Sequence, residues 1–197
     1  NVFDGATRFF RGKRMDGNWE SPFNPLAVGR AYTEATAWQY RFFVPHDVNG
    51  MIQLFGGKEE FVAALDDIFN TDAEIHGNLV DITGLIGQYV HGNEPSHHIA
   101  YLYNYVGEPW KTQKMSRRLL NEMYHPTPEG IIGNEDCGQM SAWYILSSMG
   151  LYSVCPGSNE YVLTTPLFEK VVVHLANGRT LTILANDPQK NIYITKV

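Results

Sequence analysis

The segment KEEFVAALDDIFN, residues 58–70, shows most clearly which class of fold this sequence encodes. Its large apolar residues Phe61, Leu65, Ile68 and Phe69 recur three and four positions apart, which places them on one face of an α-helix. The preceding segment HDVNGMIQLFGG, residues 46–57, predicts a short helix that Gly56 and Gly57 stop. Two successive helices joined by a glycine turn therefore indicate a helical body.

Outward from this pair, more helices are predicted on both sides. Tyr32–Phe43 has a helical composition, with Thr33 as a candidate N-cap and Pro45 as its end. Residues 1–31 and 71–94 carry mostly loop signals, with a partial helix in the second stretch. The other predicted helices are 95–107, which opens on Pro95 and closes at Gly107, 108–124, and 137–150.

After Gly150 the hydrophobic period changes. The runs YVLTT, KVVVHLA, RTLTILA and NIYITKV are rich in β-branched residues, and Asn177–Gly178 separates two of them, which is a strong hairpin signal. The predicted fold class is therefore mainly α, over residues 1–150, with short antiparallel strands in a C-terminal β segment over residues 151–197. Successive helices with short turns indicate stacked αα-hairpins, whose polar ends converge on one cavity.

Charge and composition exclude several function classes. The net charge of -6 argues against nucleic-acid and anionic-membrane partners, which need basic patches. No apolar run approaches the roughly 20 residues of a membrane span. The chain begins without Met and in mid-pattern, so we expect a fragment of a larger protein. Cys137 and Cys155 are expected to be free, buried thiols, although a disulfide between them stays open.

Three acidic clusters stand near predicted helix ends: Glu34 in YTEATAWQY, residues 91–98 (HGNEPSHH), and residues 133–139 (GNEDCGQ). Each has a structural alternative, because carboxylates are favoured in the first turn of a helix. Asp136 could serve as the N-cap of the helix that follows, but a cap does not explain its neighbour Glu135. Glu135 is expected either in a structural ion pair or beside Asp136 as its orienting group.

The middle cluster also suggests a metal. His97 and His98 are adjacent, so on a helix they point about 100° apart and do not easily share one ion. The sequence lacks a zinc signature such as H-E-x-x-H. Oxygen donors from Asn93 and Glu94 fit a hard cation such as calcium better. Carboxylates, amides and aromatic residues on helical hairpins suit carbohydrate chemistry, in which two carboxyl groups in different environments cleave a glycosidic bond.

Four longer blocks carry a family resemblance: YRFFVPHDVNGMIQLFGG, GNEPSHHIAYLYNYVGEPWKTQ, GIIGNEDCGQMSAWY and YVLTTPLFEKVVVHL. Together they resemble glycoside hydrolase family 92, the calcium-dependent exo-acting α-mannosidases of bacteria. The resemblance implies an N-terminal β-sandwich followed by an (α/α)₆ toroid. Residues 1–150 would be the second half of that toroid and 151–197 a β segment packed on it. The sandwich and the first half of the toroid would lie outside this chain.

The resemblance also implies roles for individual residues. Family members hydrolyse terminal α-mannosidic linkages with inversion, and Glu34 matches the general acid and Asp136 the base. Calcium would be bound at Asn93 and Glu94, and the remaining sugar-binding candidates are His91, Trp38 and Glu135. Here Ala35 and Thr36 follow Glu34, where the family often has Gly-Asn, and Asn134 stands where some members have a further Asp.

The implied partner is a mannose-containing glycan, and the implied location is periplasmic or secreted. The missing N-terminal part of the same protein, or self-association of the fragment, is expected to complete the fold, and the fragment alone is expected to be inactive. The alternative is a non-catalytic carbohydrate-binding or scaffold module that keeps the helical fold.

Overall fold

The computed structural model describes residues 2–78 and 80–197 and is built mainly of helices followed by short antiparallel strands. Two 3₁₀-helices, Glu94–Ser96 and Ile99–Val106, occupy the middle of the chain. The α-helices are α1 (Ala37–Tyr40), α2 (Val48–Phe55), α3 (Lys58–Asn70), α4 (Pro109–Glu122) and α5 (Gln139–Ser148).

The strands pair as four antiparallel ribbons in the described part of the chain. Three ribbons have two-residue strands: β1 with β2 (Phe3–Asp4, Phe9–Phe10), β3 with β4 (Leu85–Ile86, Tyr89–Val90), and β5 with β6 (Leu151–Tyr152, Val162–Leu163). The longest pairs β7 (Lys170–His174) with β8 (Thr180–Leu184), with Lys170 opposite Leu184. The predicted Asn177–Gly178 hairpin is therefore confirmed, whereas the predicted strand in NIYITKV is wrong.

The predicted helix over residues 58–70 forms as α3. Phe61, Leu65 and Ile68 are fully buried on the inner face of α3. Glycine 56 ends α2 with φ 104°, a backbone conformation that costs other residues energy. The apolar face of α3 packs against the 3₁₀-helix Ile99–Val106, and α4 packs against the same 3₁₀-helix. This 3₁₀-helix therefore lies at the centre of the helical body.

Two predicted helices are shorter than the sequence indicated. The segment 32–43 yields only α1, because Arg30 and Glu34 adopt left-handed backbone angles and Thr36, not Thr33, caps the helix. Its hydroxyl accepts a hydrogen bond from the Trp38 N–H, and the Thr36 N–H donates to the Gln39 side chain in a capping box. Propensity alone does not reveal such backbone reversals.

The start of α5 also differs from the prediction. Asp136 and Cys137 have φ angles of 44° and 60°, and the helix begins only after Gly138. Asp136 is therefore not its N-cap. Both cysteines are free, as expected, but Cys137 is exposed and Cys155 half-buried, so the prediction of two buried thiols is wrong.

The core is aromatic. Trp143 and Tyr101 are almost fully buried, and the ring of Tyr101 stacks on that of Tyr152 with centroids 4.1 Å apart. Within the described residues, none of the helices combines the length and apolar character that crossing a membrane requires.

Candidate active site

Two glycines bring the second and third acidic clusters together. A Cβ built on Gly133 would lie 2.6 Å from the carbonyl oxygen of Gly92, and one on Gly92 would lie 3.2 Å from the Cα of Gly133. The backbones are therefore in direct contact, with no room for a side chain between them. This contact joins the segments that carry Glu94 and Asp136.

Glu94 and Asp136 form a carboxyl pair. Burial is the main cause that raises the pKa of Glu94, and the charge of Asp136, a hydrogen bond to it and the charge of Glu34 raise it further. The carboxyl group of Glu94 therefore lies close to two other carboxyl groups, whose charges oppose its own ionisation. The structure thus brings together Glu34, Glu94 and Asp136, one residue from each acidic cluster.

Glu34 and Asp136 share an unusual backbone conformation. Their φ angles are 56° and 44°, in the left-handed region that few residues other than glycine adopt, although aspartate does so more readily than glutamate. Both side chains are exposed, whereas Glu94 is only half-exposed. Strained backbone of this kind concentrates at functional sites, because the surrounding structure must hold it.

Asn93 connects two of the three segments. Its side chain is 3% exposed, and its Nδ2 donates to the carbonyl oxygen of Glu34 over 2.8 Å. Its Oδ1 accepts from the N–H of Glu94 over 3.1 Å. Both polar ends of the amide are therefore engaged within the protein, and the Oδ1 atom retains its second lone pair.

Glu135 has a separate task from its neighbour. One of its carboxylate oxygens accepts from the backbone N–H of Ser141 over 3.2 Å, and the other accepts from the Ser141 hydroxyl over 3.0 Å. Glu135 therefore stabilises the first turn of α5, which has no side-chain cap from Gly138. The two adjacent carboxylates therefore have different partners: Glu135 stabilises the helix, and Asp136 faces Glu94.

His91, a predicted sugar contact, lies in the core instead. It is fully buried, and its Nδ1 and Nε2 each lie 2.8 Å from a tyrosine hydroxyl, that of Tyr89 and that of Tyr124. Burial, followed by the charge of His97, lowers the pKa of His91 to about 3, so the ring is neutral at pH 7. His91 therefore belongs to the core and directly precedes residues 92–95, the GNEP segment.

The next two histidines are also tied into the protein. Nε2 of His97 donates to the carbonyl of His91 over 2.9 Å, which leaves Nδ1 to accept from Gln139 over 3.3 Å. Nε2 of His98 donates to the carbonyl of Phe42 over 2.7 Å. Burial is the main cause that lowers the pKa of each ring to about 4.

Trp38, the other predicted sugar contact, packs inside the N-terminal part of the core. Only 9% of its surface is exposed. Its ring meets that of Phe9 edge-on at 5.1 Å, and the guanidinium of Arg41 lies 5.1 Å from the ring centroid. The structure therefore shows Trp38 as a core residue on α1, immediately after the Glu34 turn.

The full length of the chain, residues 1–197, matches the model of the glycosyl hydrolase family 92 catalytic domain. The chain belongs to this family. Solved family 92 structures from Bacteroides thetaiotaomicron are similar to it. One is an α-mannosidase in complex with mannoimidazole, with 41% identity, a TM-score of 0.87, and coverage of 94% of this chain and 26% of that chain.

Two more relatives support the family 92 assignment. An inverting mannosidase from the same bacterium is 37% identical with a TM-score of 0.80, over 94% of this chain and 26% of that chain. An uncharacterized secreted glycosidase from Arthroderma benhamiae is 33% identical over an alignment of 207 positions that covers 98% of this chain and 25% of that protein. The chain thus spans about a quarter of the length of these relatives.

The side chains at this site offer oxygen donors, which is the type of ligand that calcium prefers. The groups that meet there offer oxygen atoms, whereas both ring nitrogens of His91 and of His97 are already used inside the protein. Calcium prefers six to eight oxygen ligands. The described residues contain no group of three or more His, Cys, Asp and Glu side chains placed to hold an ion, so this chain offers only part of a shell.

Several supporting residues were not predicted from the sequence. Gly92 and Ser141 join or secure the segments, and Tyr124 anchors His91. The available signal for Gly92 was the repeated G-N-E pattern, which the GNEP and GNED stretches share. The partners Ser141 and Tyr124 have no signal of their own, because tertiary packing alone selects them.

Proposed function

We propose that this chain carries the active site of an exo-acting α-mannosidase, which hydrolyses terminal α-mannosidic linkages of glycans with inversion. The observation that carries the proposal is the convergence of Glu34, Glu94 and Asp136, which are far apart in sequence. The relatives described as mannosidases support the substrate class, and the one described as inverting supports the stereochemistry.

Glu34 acts as the general acid and Asp136 as the base. Glu34 gives its proton to the leaving oxygen as the bond between that oxygen and the anomeric carbon breaks. Asp136 takes a proton from the water that attacks the same carbon from the opposite face. An inverting pair needs room for this water, so the two carboxyl groups are expected roughly 6.5–9.5 Å apart in the complex. Glu94 lies beside Asp136 and helps to orient it.

Glu94 and the free lone pair of Asn93 would hold calcium, with sugar hydroxyls and water completing the shell. Bound calcium supplies a fixed positive charge that orients the mannose hydroxyls. The chain's own oxygens fix where the sugar lies relative to the acid and base.

The architecture of the whole protein is also proposed. The helices up to residue 150 form the second half of an (α/α)₆ toroid, and residues 151–197 form a β segment beside it. The secreted relative supports an extracellular or periplasmic location.

The neighbouring carboxylates offer a matched test in the full-length enzyme. Asp136→Ala should lower kcat/KM by several orders of magnitude on every α-mannoside, because no base remains to activate water. Glu135→Ala removes a charge of the same sign at the next position, but this side chain only stabilises the first turn of α5. The variant should therefore lose about 1 kcal/mol in free energy of unfolding and retain most activity. Equal loss in both variants would contradict the assigned base.

A further inference from the structure

The side chain of Asn93 links the GNEP segment (residues 92–95) directly to the Glu34 turn. The two residues are 59 positions apart, yet the amide Nδ2 lies 2.8 Å from the Glu34 carbonyl oxygen. The Asn93 side chain is almost fully buried, so water competes little for this bond. The bond therefore fixes the peptide that follows Glu34.

Glu34 depends on such a bond more than an ordinary residue does. Its backbone is left-handed, and it lies in a turn where Gly29 and Arg30 also have positive φ angles. The N–H of Gly29 bonds to the carbonyl of Ala35, which holds the turn closed from the other side. The backbone sets the direction of the Cα–Cβ bond of Glu34, from which the exposed side chain extends.

The other end of the same amide holds the N–H of Glu94. One side chain therefore joins the turn of the acid to the residue that is hydrogen-bonded to the base. A shift of the Glu34 carbonyl would be transmitted to Asn93, while the acceptor end would still hold Glu94. The two ends can thus be separated by substitution.

We propose that Asn93 is a positioning residue for proton donation: its Nδ2–H fixes the Glu34 backbone so that the Glu34 carboxyl group meets the leaving oxygen. This inference rests on the proposed function and deepens it. It assigns to the Asn93 amide nitrogen a role distinct from any contact of its oxygen with a cation or a sugar.

The selective variant is Asn93→Asp in the full-length enzyme. Aspartate keeps an oxygen for the Glu94 N–H and for calcium but replaces the donor to Glu34 with an acceptor. The readout is kcat/KM on a series of aryl α-mannosides whose leaving groups span a wide range of phenol pKa. We expect a loss of about 10- to 100-fold on the poorest leaving groups and little loss on the most activated, because protonation matters least for the latter.

Three further variants control the test. Glu34→Gln should show the same steepening to a greater extent. Asn93→Ala, which lacks both contacts, should show the steepening together with a uniform loss. Asn70→Asp removes an amide-to-carbonyl bond of the same 2.8 Å length, between Asn70 and Asp66, and should leave the dependence unchanged.

The outcomes separate the inference from the proposed function. A uniform loss in Asn93→Asp, alongside a steepened dependence in Glu34→Gln, would overturn the positioning role and leave the acid in place. A flat dependence in Glu34→Gln would overturn both. If neither Asn93 variant folds, as judged by circular dichroism, Asn93 is a determinant of folding and the positioning role is overturned as well.

Discussion

Gly133 touches the backbone of Gly92 so closely that a methyl group does not fit between them, since its Cβ would lie 2.6 Å from the Gly92 oxygen. Glu94 follows Gly92 by two positions, and Asp136 follows Gly133 by three. The distance between the two carboxyl groups therefore depends on a contact of two bare backbones. Any side chain there must move one segment away from the other.

Gly133→Ala is accordingly expected to lower kcat/KM on α-mannosides at least about tenfold, because the clash displaces the Asp136 segment. Gly178 has nearly the same φ, 78° against 75°, and open space around its Cα, so Gly178→Ala is the matched control for backbone strain. Gly178→Ala should lose about 1–2 kcal/mol of stability from backbone strain alone, and Gly133→Ala should lose more because of the added clash. Equal activity in the two, measured by steady-state kinetics, would contradict the importance of the Gly92–Gly133 contact.

Metal dependence gives a second prediction. The full-length enzyme should lose activity in a calcium chelator and recover it with calcium, because the site offers oxygen ligands. Zinc alone should not restore it, since the rings of His91 and His97 are engaged within the protein. Glu94→Gln should raise the calcium concentration needed for half-maximal activity, and recovery with zinc alone would refute this metal assignment.

The buried histidines predict how stability changes with pH. His98 has a folded pKa of about 4, below the ordinary 6.5, because burial disfavours its charge. Between pH 6.5 and 4, His98 is protonated in the unfolded chain but stays neutral in the folded chain. The contribution of His98 to the free energy of unfolding is therefore fully present above pH 6.5 and is lost as the pH falls toward 4. The contribution of His98 is roughly 3 kcal/mol over this window.

Chemical denaturation of the chain between pH 4 and 7 checks this slope. His98→Asn retains a donor for the Phe42 carbonyl but does not titrate, so it should flatten the dependence of the free energy of unfolding on pH. His174→Asn, on the exposed strand β7, controls for the loss of a surface histidine. An unchanged slope in His98→Asn would show that another group causes the loss.

The C-terminal hairpin predicts self-association of the 197-residue chain. Leu181 and Leu184 on β8 are 41% and 72% exposed, and Val172 and Leu175 add to the same apolar ribbon. A two-stranded hairpin is marginal on its own, and exposed apolar patches promote association. Leu184→Lys should shift sedimentation velocity toward the monomer, whereas Met15→Lys, at a still more exposed position outside the hairpin, should not. A monodisperse wild-type monomer would contradict the prediction.

Helical periodicity predicted α3 and the end of α2 correctly, since both depend on local signals in residues 46–70. It overestimated the helix around Glu34, because left-handed turns at Arg30 and Glu34 depend on long-range bonds such as that from Asn93. The acidic clusters were found from their density alone. The separate roles of Glu135 and Asp136 were not predicted. Ser141, which donates hydrogen bonds to Glu135, comes close to it only when α5 forms.

The central claim is that Glu34 and Asp136 act as acid and base of an inverting mannosidase. Proton NMR of the first sugar released by the full-length enzyme from an α-mannoside tests it most directly, because the anomers are distinguishable before they interconvert. β-Mannose as the initial product is the predicted result, since water attacks the face opposite the leaving group. α-Mannose as the initial product would contradict the account.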